Sequence, residues 1–270
     1  WLRKLVEGLQ DQHIGLVTGN RWYVPSSPKL GTLSCYFWNI FAIPMMNAVE
    51  IPWGGSIALR AEDMRPGTLR DHLAHAFGED STLATYFRSH NQHVRFLPDL
   101  IVLNHDDCGL MQLYNFVVRQ YLTVRMNNPR WPRVVLYNMF LGLLMTICLP
   151  VAWMFPEFAS PIYVGYPILT CSLIMLAIHT QNLVRERVRT NSNKSIFWVT
   201  PARFAMFLVA IPVMAILNIM ATIQSFFTRE HVWRGLRYRF GQNPRVLIVS
   251  ENTERPRLGS VVAPLAEVTE

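Results

Sequence analysis

Hydrophobic and charged positions divide the chain into two parts with different patterns. Residues 1–133 carry charged side chains throughout, whereas residues 134–155 and 162–184 contain none. The first uncharged run has 22 residues, which as a helix measures roughly 33 Å, and the hydrocarbon core of a bilayer is about 30 Å thick. Both runs are therefore predicted to cross a membrane. The short PEFASP connection between them has a proline at each end and predicts a helical hairpin.

A third apolar stretch follows the hairpin, and its path is open. It extends over residues 196–227, with its main part at 203–227, and contains Arg203 and Pro212. Two paths fit this pattern: a single kinked span, or a bent segment that enters and leaves on the same face of the membrane. The pattern therefore predicts a membrane region over residues 134–227.

Basic residues beside the apolar runs predict the orientation. Lys and Arg concentrate in the cytoplasmic loops of membrane proteins. The flanks of the hairpin carry Arg125, Arg130, Arg133, Arg185, Arg187, Arg189 and Lys194. Both flanks are therefore predicted to be cytoplasmic, and PEFASP external. The tail, residues 228–270, also begins with basic residues, which favours a cytoplasmic, partly disordered tail and hence the bent path.

The first 133 residues show the alternation of strands and helices that is typical of an α/β domain. Strands are predicted at residues 13–24 and 94–103, and helices at 33–49 and 78–88. A last helix, over residues 113–133, is amphipathic and leads into the first span, which suits the membrane surface.

The composition is typical of a membrane protein and indicates no further metal or nucleic acid site. Hydrophobic residues make up 51% of the chain and charged residues 16%. The net charge is +7, and many of the basic residues lie beside the apolar spans. Attraction to anionic lipid accounts for them there without a nucleic acid partner. Four cysteines lack CxxC spacing and are predicted to be plain buried thiols, and the cluster His105–Cys108 is predicted to be a solvated turn or helix cap. The four cysteines are Cys35, Cys108, Cys148 and Cys171.

Two short motifs are candidates for chemistry. In PWGGS, residues 52–56, paired glycines let the backbone approach a ligand closely and Ser56 offers a hydroxyl, although a bare turn would look the same. Glu79 and Asp80 stand at the start of a predicted helix. They are either simple helix-start residues or a catalytic carboxylate. In either case the helix dipole is expected to keep the pKa of Asp80 low.

The order of these motifs resembles a known family. WLRKLVEGL, PWGGSIALR, GEDSTLATYFR and FVVRQ are followed by the apolar spans. Over about residues 1–240 this order resembles a family 2 glycosyltransferase of the ceramide-glucosyltransferase-like branch. The resemblance implies a GT-A fold, with residues 1–133 as its acceptor-binding half, followed by an α-helical membrane region.

The metal motif of that family is not found in this chain. Its Asp-x-Asp lies just upstream of a WL..L helix, where this sequence begins. The resemblance therefore implies a fragment truncated after the motif. It also implies a divalent cation, Mg²⁺ or Mn²⁺, held by residues outside this chain, with no metal ligand inside it.

The resemblance assigns roles motif by motif. Trp53, Gly54, Gly55 and Ser56 match the acceptor-side loop. Asp80 matches the general base, with Glu79 in support and Gly78 in place of the family's threonine.

FVVRQ stands where the family has Gln-x-x-Arg-Trp. Arg119 therefore matches the donor-diphosphate ligand, and Gln120, in place of the tryptophan, is grouped with it, while Phe116 replaces the glutamine. WRGLRY, residues 233–238, resembles a recurrent post-membrane motif of unassigned function.

The function implied by the resemblance is an inverting, membrane-anchored glycosyltransferase of hexosyltransferase type. It would move a sugar from a nucleotide donor, a UDP-sugar, to a lipid or glycan acceptor at the cytoplasmic face. The alternative is a non-catalytic membrane protein, such as a degenerate relative, a scaffold or a transporter subunit. A transporter should carry several ionisable groups within its spans, but the first two spans hold only His179.

Overall fold

A computed structural model describes residues 1–74, 76–192, 201–233, 236–240 and 246–251 of the chain. In chain order the elements are α1 (Leu2–Gly8), β1 (Ile14–Tyr23), α2 (Leu30–Val49), β2 (Ile57–Leu59), a 3₁₀ turn (Ala61–Met64), α3 (Leu69–Leu73), α4 (Glu79–Ser89), β3 (His93–Asn104), α5 (Leu110–Asn127), α6 (Trp131–Met154), a 3₁₀ turn (Pro156–Phe158), α7 (Ala159–Ser192), α8 (Pro201–Phe227), β4 (Glu230–Trp233), β5 (Leu236–Phe240) and β6 (Val246–Glu251).

The α/β half is built around β1. This strand pairs antiparallel with β2 and parallel with β3, so the sheet order is β2-β1-β3. The first six residues of β1 are buried, because helices cover both faces of the strand, and its sequence is correspondingly apolar. The predicted strands and the α/β class are therefore present. PWGGS forms a turn that leads into β2.

The membrane helices share their core with the α/β half. Phe37 of α2 meets Phe207 of α8 edge to face, with ring centroids 4.8 Å apart. Tyr36 stacks on the same phenylalanine and bonds to Gln181 of α7 through its hydroxyl. The helix predicted over residues 33–49 thus forms and joins the two parts of the molecule.

The predicted hairpin is present as α6 and α7, joined by a single 3₁₀ turn. Three helical segments, at residues 131–154, 156–189 and 205–227, are long and apolar enough to cross a membrane. Large apolar side chains point outward along them, and Trp153 is 82% exposed. Such exposure is costly in water and natural in lipid.

The third apolar segment forms one continuous helix, α8, with Pro212 inside it. Pro212 therefore does not break the helix. Helix α8 contacts the α/β half in its first half and near its end. In its first half Ala210 accepts a hydrogen bond from Ser34 of α2, and near its end Gln224 bonds to Tyr114 of α5.

Protein covers the apolar face of helix α5, whereas its amphipathic pattern had suggested contact with the membrane surface. Its apolar residues Leu113, Val117 and Leu122 are fully buried, because α5 packs between α2, α4 and α8. Arg125 donates hydrogen bonds to the carbonyl oxygens of Ser225 and Thr228 at the end of α8. It therefore caps a helix rather than reaching for lipid head groups.

Part of the predicted disordered tail is an ordered sheet. Strands β4, β5 and β6 pair antiparallel, and Tyr238 and Phe240 each place a ring 5.0 Å from the ring of Phe77. The tail thus returns to the α/β half. Residues 234–235 of the WRGLRY motif and residues 252–270 of the tail lie outside the described residues.

The acidic turn and the cysteines follow the sequence prediction in part. Asp107 accepts hydrogen bonds from Ser26 and Lys29, which lower its pKa to about 2, so the cluster is a capped turn. Among the cysteines Cys35 is buried, but Cys171 is exposed on α7, because it points away from the helix bundle.

Glu50 ties four elements together where α2 ends. It adopts the left-handed conformation, with φ 57°, and its carboxylate meets Arg88 of α4 at 3.2 Å, Arg130 before α6 at 3.4 Å and His93 of β3 at 3.1 Å. Burial alone would raise the pKa of Glu50, but these hydrogen bonds and positive charges outweigh it and hold the pKa below its ordinary value of 4.5.

We expect Glu50→Gln to lower the free energy of unfolding by about 1–2 kcal/mol at pH 7, because it removes a half-buried charge from two guanidinium groups. A carboxyl whose pKa is lowered by folding stabilises the fold above its unfolded pKa, so the difference should vanish as pH falls below about 4.5. Chemical unfolding in detergent measures both. Glu186→Gln, at an exposed pair with Arg189, should change little, and an equal loss there would contradict the expectation.

Candidate active site

Asp80 sits in the first turn of α4, and Gly78 makes that position possible. Gly78 is the N-cap residue with φ 86°, a conformation that favours glycine. A Cβ at this position would also lie 2.7 Å from Cγ2 of Thr123 on α5. The helix start therefore packs against α5 without room for a threonine at position 78, where the resembled family has one.

The PWGGS turn is fixed to β1 by Thr18. The buried Thr18 hydroxyl accepts from the Trp53 N–H at 3.0 Å and donates to the Ser56 carbonyl at 3.0 Å. A Cβ on Gly54 would lie 2.5 Å from Glu79 Oε1 and closer still to Asp80 Oδ1. The backbone of the turn therefore contacts the carboxylates at the start of α4. Only a glycine at position 54 leaves room for this contact.

The remaining residues of the turn point in different directions. The indole of Trp53 lies over Gly55, where it occupies the space of a side chain. Ser56 is buried, and its hydroxyl lies on the Gly19 side of the turn. Trp53 and Gly54 thus face the site, Gly55 lies under the indole, and Ser56 anchors the turn to β1.

The carboxyl of Asp80 has a pKa of about 7. Burial is the main cause of the rise, and the charge of Glu79 adds to it, while the Gly54 backbone and the charges of Arg21 and Arg119 act in the opposite direction. Within the described part of the chain, Asp80 Oδ1 is buried without a hydrogen-bond partner. The expectation of a low pKa is therefore wrong, because burial outweighs the helix dipole.

Two arginines lie on the opposite side of the site, and both are packed on aromatic rings. Arg21, at the end of β1, lies 4.6 Å from the ring centroid of Tyr23, 5.8 Å from Trp53 and 5.5 Å from Phe116. Arg119 lies 5.5 Å from the same Phe116 ring. Phe116, where the resembled motif has glutamine, thus packs against both guanidinium groups. Arg21 was not predicted as a site residue, because it belongs to no recognised sequence motif.

The tail sheet completes this side of the site. Trp233 of β4 places its ring 4.9 Å from the Arg119 guanidinium. His231 of the same strand has a lowered pKa, because it is buried and lies near the charge of Arg119. The first residue of the WRGLRY motif therefore belongs to the site, although the sequence assigned it no role.

A pocket opens beside Asp80 and extends among the membrane helices. It contains about 1060 Å³ of space, counting its open mouth, and α2, α5, α6 and α8 form most of its wall. Gln120 lines it, one residue after Arg119. Arg119 and Gln120, which the sequence grouped together, therefore face different neighbours.

No group of three or more His, Cys, Asp or Glu side chains among the described residues is arranged to hold a metal ion. The side chains at this site therefore do not fit a metal centre. What they form is a carboxyl that titrates near neutrality, at the mouth of a largely apolar pocket, opposite two guanidinium groups. A carboxyl of this kind can accept a proton, and the guanidinium groups can hold an anion.

Residues 1–246 match the family described as Glycosyl transferase family 21. The predicted glycosyltransferase class is therefore confirmed, although the motif order resembles family 2. A comparison with curated proteins found no match.

Proposed function

The chain belongs to glycosyl transferase family 21, and from this we propose that it acts as a membrane-bound, inverting hexosyltransferase. Such a transferase needs a sugar donor and an acceptor. We propose a nucleotide sugar, a UDP-sugar, as donor and a lipid as acceptor. The observation that carries the proposal is the position of Asp80, which lines the apolar pocket and lies within range of the charges of Arg21 and Arg119.

Asp80 is proposed as the general base. In a direct displacement with inversion, the acceptor hydroxyl attacks the anomeric carbon while a carboxylate takes its proton. A base works best when its pKa is near the working pH, and the pKa of Asp80 is about 7. Glu79 supports this role, because its charge helps to raise that pKa.

Arg119 and Arg21 are proposed to hold the diphosphate of the donor. Negative charge develops on that group as the bond to the sugar breaks, and fixed positive charge stabilises it. Phe116 and Trp233 hold the Arg119 guanidinium between them, which limits its motion. A divalent cation, which the family resemblance implies, stays a prediction.

The pocket supports a lipid rather than a polysaccharide acceptor. Its walls include side chains from α6 and α8, both long and apolar enough to cross a membrane. A lipid chain in this pocket would place its head group near Asp80. Trp53 and Gly54 would then contact the acceptor at the mouth, as the sequence motif implies.

The site is proposed to face the cytoplasm. The basic residues that flank the hairpin favour that side, and the tail sheet packs on Phe77 of the α/β half. The tail and the site therefore share one side of the membrane.

We expect Asp80→Asn in the full-length protein to lower sugar transfer to the lipid by about 10²–10⁴-fold, the usual contribution of a general base. Donor binding should change little, since the amide keeps the shape of the carboxyl. Asp106→Asn, at an exposed position, is the matched control. Turnover near that of the wild type would remove Asp80 from this role.

The pH dependence of kcat/KM follows from the raised pKa. Asp80 must lose its proton to act, so kcat/KM should rise with pH and level off above about 7. Glu79→Gln removes a charge that raises this pKa, so the midpoint should move to lower pH. Glu62→Gln, also exposed, should leave it in place. If the midpoint in Glu79→Gln stays where it is in the wild type, the pH profile does not report the ionisation of Asp80.

We expect Arg119→Ala to weaken binding of UDP by about tenfold or more, because a hydrogen bond to a charged group contributes about 1.5–3 kcal/mol. Arg119→Lys should recover part of the affinity through its charge. Equilibrium titration measures both. Arg70→Ala, on the surface of α3, should bind like the wild type, and equal affinities for all variants would exclude Arg119 from the donor site.

A further inference from the structure

Two cysteines that are remote in the sequence meet beside the candidate active site. Cys35 is buried on α2, and Cys108, which directly precedes the N-cap residue of α5, is partly exposed. The Thr32 hydroxyl, about one turn before Cys35, accepts a hydrogen bond from the Cys108 N–H at 3.0 Å. The Cys108 carbonyl oxygen lies where a Cβ on Gly31 would stand. Main-chain contacts therefore hold Cys108 against the first turns of α2, with the two thiols within hydrogen-bonding range of each other.

The two thiols differ in reactivity. Cys35 directs its S–H at the sulfur atom of Cys108, which raises the pKa of Cys35 and lowers that of Cys108, and burial raises the pKa of Cys35 further. Cys108 also lies at the start of an 18-residue helix, whose dipole favours a thiolate there. Because the thiolate is the attacking form, Cys108 is the nucleophile of the pair. Cys35 is placed to attack any mixed disulfide that forms on Cys108.

The pair adjoins a ring on which the Arg21 guanidinium packs. Burial is the main cause of the raised pKa of Tyr23, and Cys35 and Cys108 add to the rise, so both sulfur atoms lie near this tyrosine. The Tyr23 N–H donates to Oδ1 of Asn39, about one turn after Cys35 on α2, at 2.9 Å. The Arg21 guanidinium lies 4.6 Å from the centroid of the Tyr23 ring. A shift of α2 against α5 at the cysteines would therefore reach Arg21 through Tyr23.

We propose that Cys35 and Cys108 are a redox-active pair that closes to a disulfide by exchange with a low-molecular-weight disulfide such as glutathione disulfide, and that closure weakens binding of the donor diphosphate. The Cys108 thiolate first attacks one sulfur atom of glutathione disulfide and releases a glutathione thiolate. Cys35 then loses its proton to water, and its sulfur displaces the second glutathione from Cys108. The pair loses two electrons, and glutathione disulfide gains them and becomes two molecules of glutathione.

Closure requires movement at the candidate active site. A disulfide holds its sulfur atoms about 2 Å apart, closer than any non-covalent contact, so the bond draws the start of α5 towards α2. The interior there is close-packed, and a displacement in such a core is passed on to neighbouring side chains. Tyr23 and Phe116, the rings against which Arg21 packs, are those neighbours. This consequence rests on the proposed function, since it assigns Arg21 to the donor site.

A redox titration of the full-length protein in detergent tests the bond itself. The protein is equilibrated without oxygen in mixtures of glutathione and glutathione disulfide, free thiols are alkylated, and the peptides are analysed by mass spectrometry. A peptide pair linked through Cys35 and Cys108 should increase with the proportion of glutathione disulfide and disappear with dithiothreitol. Cys148 and Cys171, on helices that detergent covers, should stay alkylated. Absence of the linked pair would overturn the proposal.

Two variants assign the roles of the thiols. Cys35→Ser should trap glutathione on Cys108, because no second thiol is left to displace it. Cys108→Ser should leave Cys35 unmodified, because Cys35 is buried. Either variant alone decides if the other does not fold. Glutathione on Cys35 in Cys108→Ser, or unmodified Cys108 in Cys35→Ser, would contradict the assigned order of attack.

The affinity for UDP connects the bond to the donor site. Equilibrium titration should show that the oxidised wild type binds UDP about threefold or more weakly than the reduced protein, which is part of the contribution of one hydrogen bond to a charged group. Dithiothreitol should restore the affinity. Cys108→Ser should bind UDP equally in both redox mixtures, whereas Cys171→Ser, the matched control on α7, should respond like the wild type.

Failure of this inference is distinguishable from failure of the proposed function. A linked peptide pair without a change in UDP affinity would reject control of the donor site by the thiols. Wild-type affinity for UDP in reduced Arg119→Ala would instead reject the donor site itself. The linked pair is measured without UDP, so its formation does not depend on that assignment.

Discussion

The carboxyl of Asp80 lies against the backbone of Gly54 with no room for a side chain between them, and the rest of the site depends on this contact. It requires two independent segments to be held in place. Thr18 fixes the PWGGS turn to β1, and Gly78 lets α4 begin against α5. Because α5 also carries Arg119, the same packing sets the carboxyl opposite the guanidinium groups. The proposed base and the proposed anion site are thus positioned by one set of backbone contacts.

The membrane region is part of this arrangement rather than a separate anchor. Helix α8 packs on α2 in its first half and on α5 near its end, and Arg125 caps its last turn. The pocket beside Asp80 is formed where these helices meet α6. A transferase that acts on lipid needs such an arrangement, because its acceptor stays in the bilayer while the reacting hydroxyl must reach a polar site.

The sequence predicted the parts of this architecture that have a local signature. Uncharged runs of membrane-spanning length gave α6 and α7, and ordered motifs brought Trp53, Asp80 and Arg119 to one place. Arg21 was missed because a single arginine at a strand end has no pattern. The tail sheet was missed because Tyr238 and Phe240 are interpretable only once Phe77 is known to lie beneath them. Helix α5 was misjudged because an amphipathic pattern does not say whether lipid or protein covers its apolar face.

The pKa of Asp80 shows why local reasoning about charge can have the wrong sign. A helix dipole contributes about 0.3–1 kcal/mol to a carboxylate in the first turn, which is less than one unit of pKa, since one unit corresponds to 1.36 kcal/mol. Burial of a carboxyl can raise its pKa by as much as 3–5 units. Once Gly54 covers Asp80, the larger effect determines the direction, and the charge of Glu79 adds to it. A turn that is remote in sequence thus converts a residue that would be ionised at any physiological pH into one that can exchange a proton near pH 7.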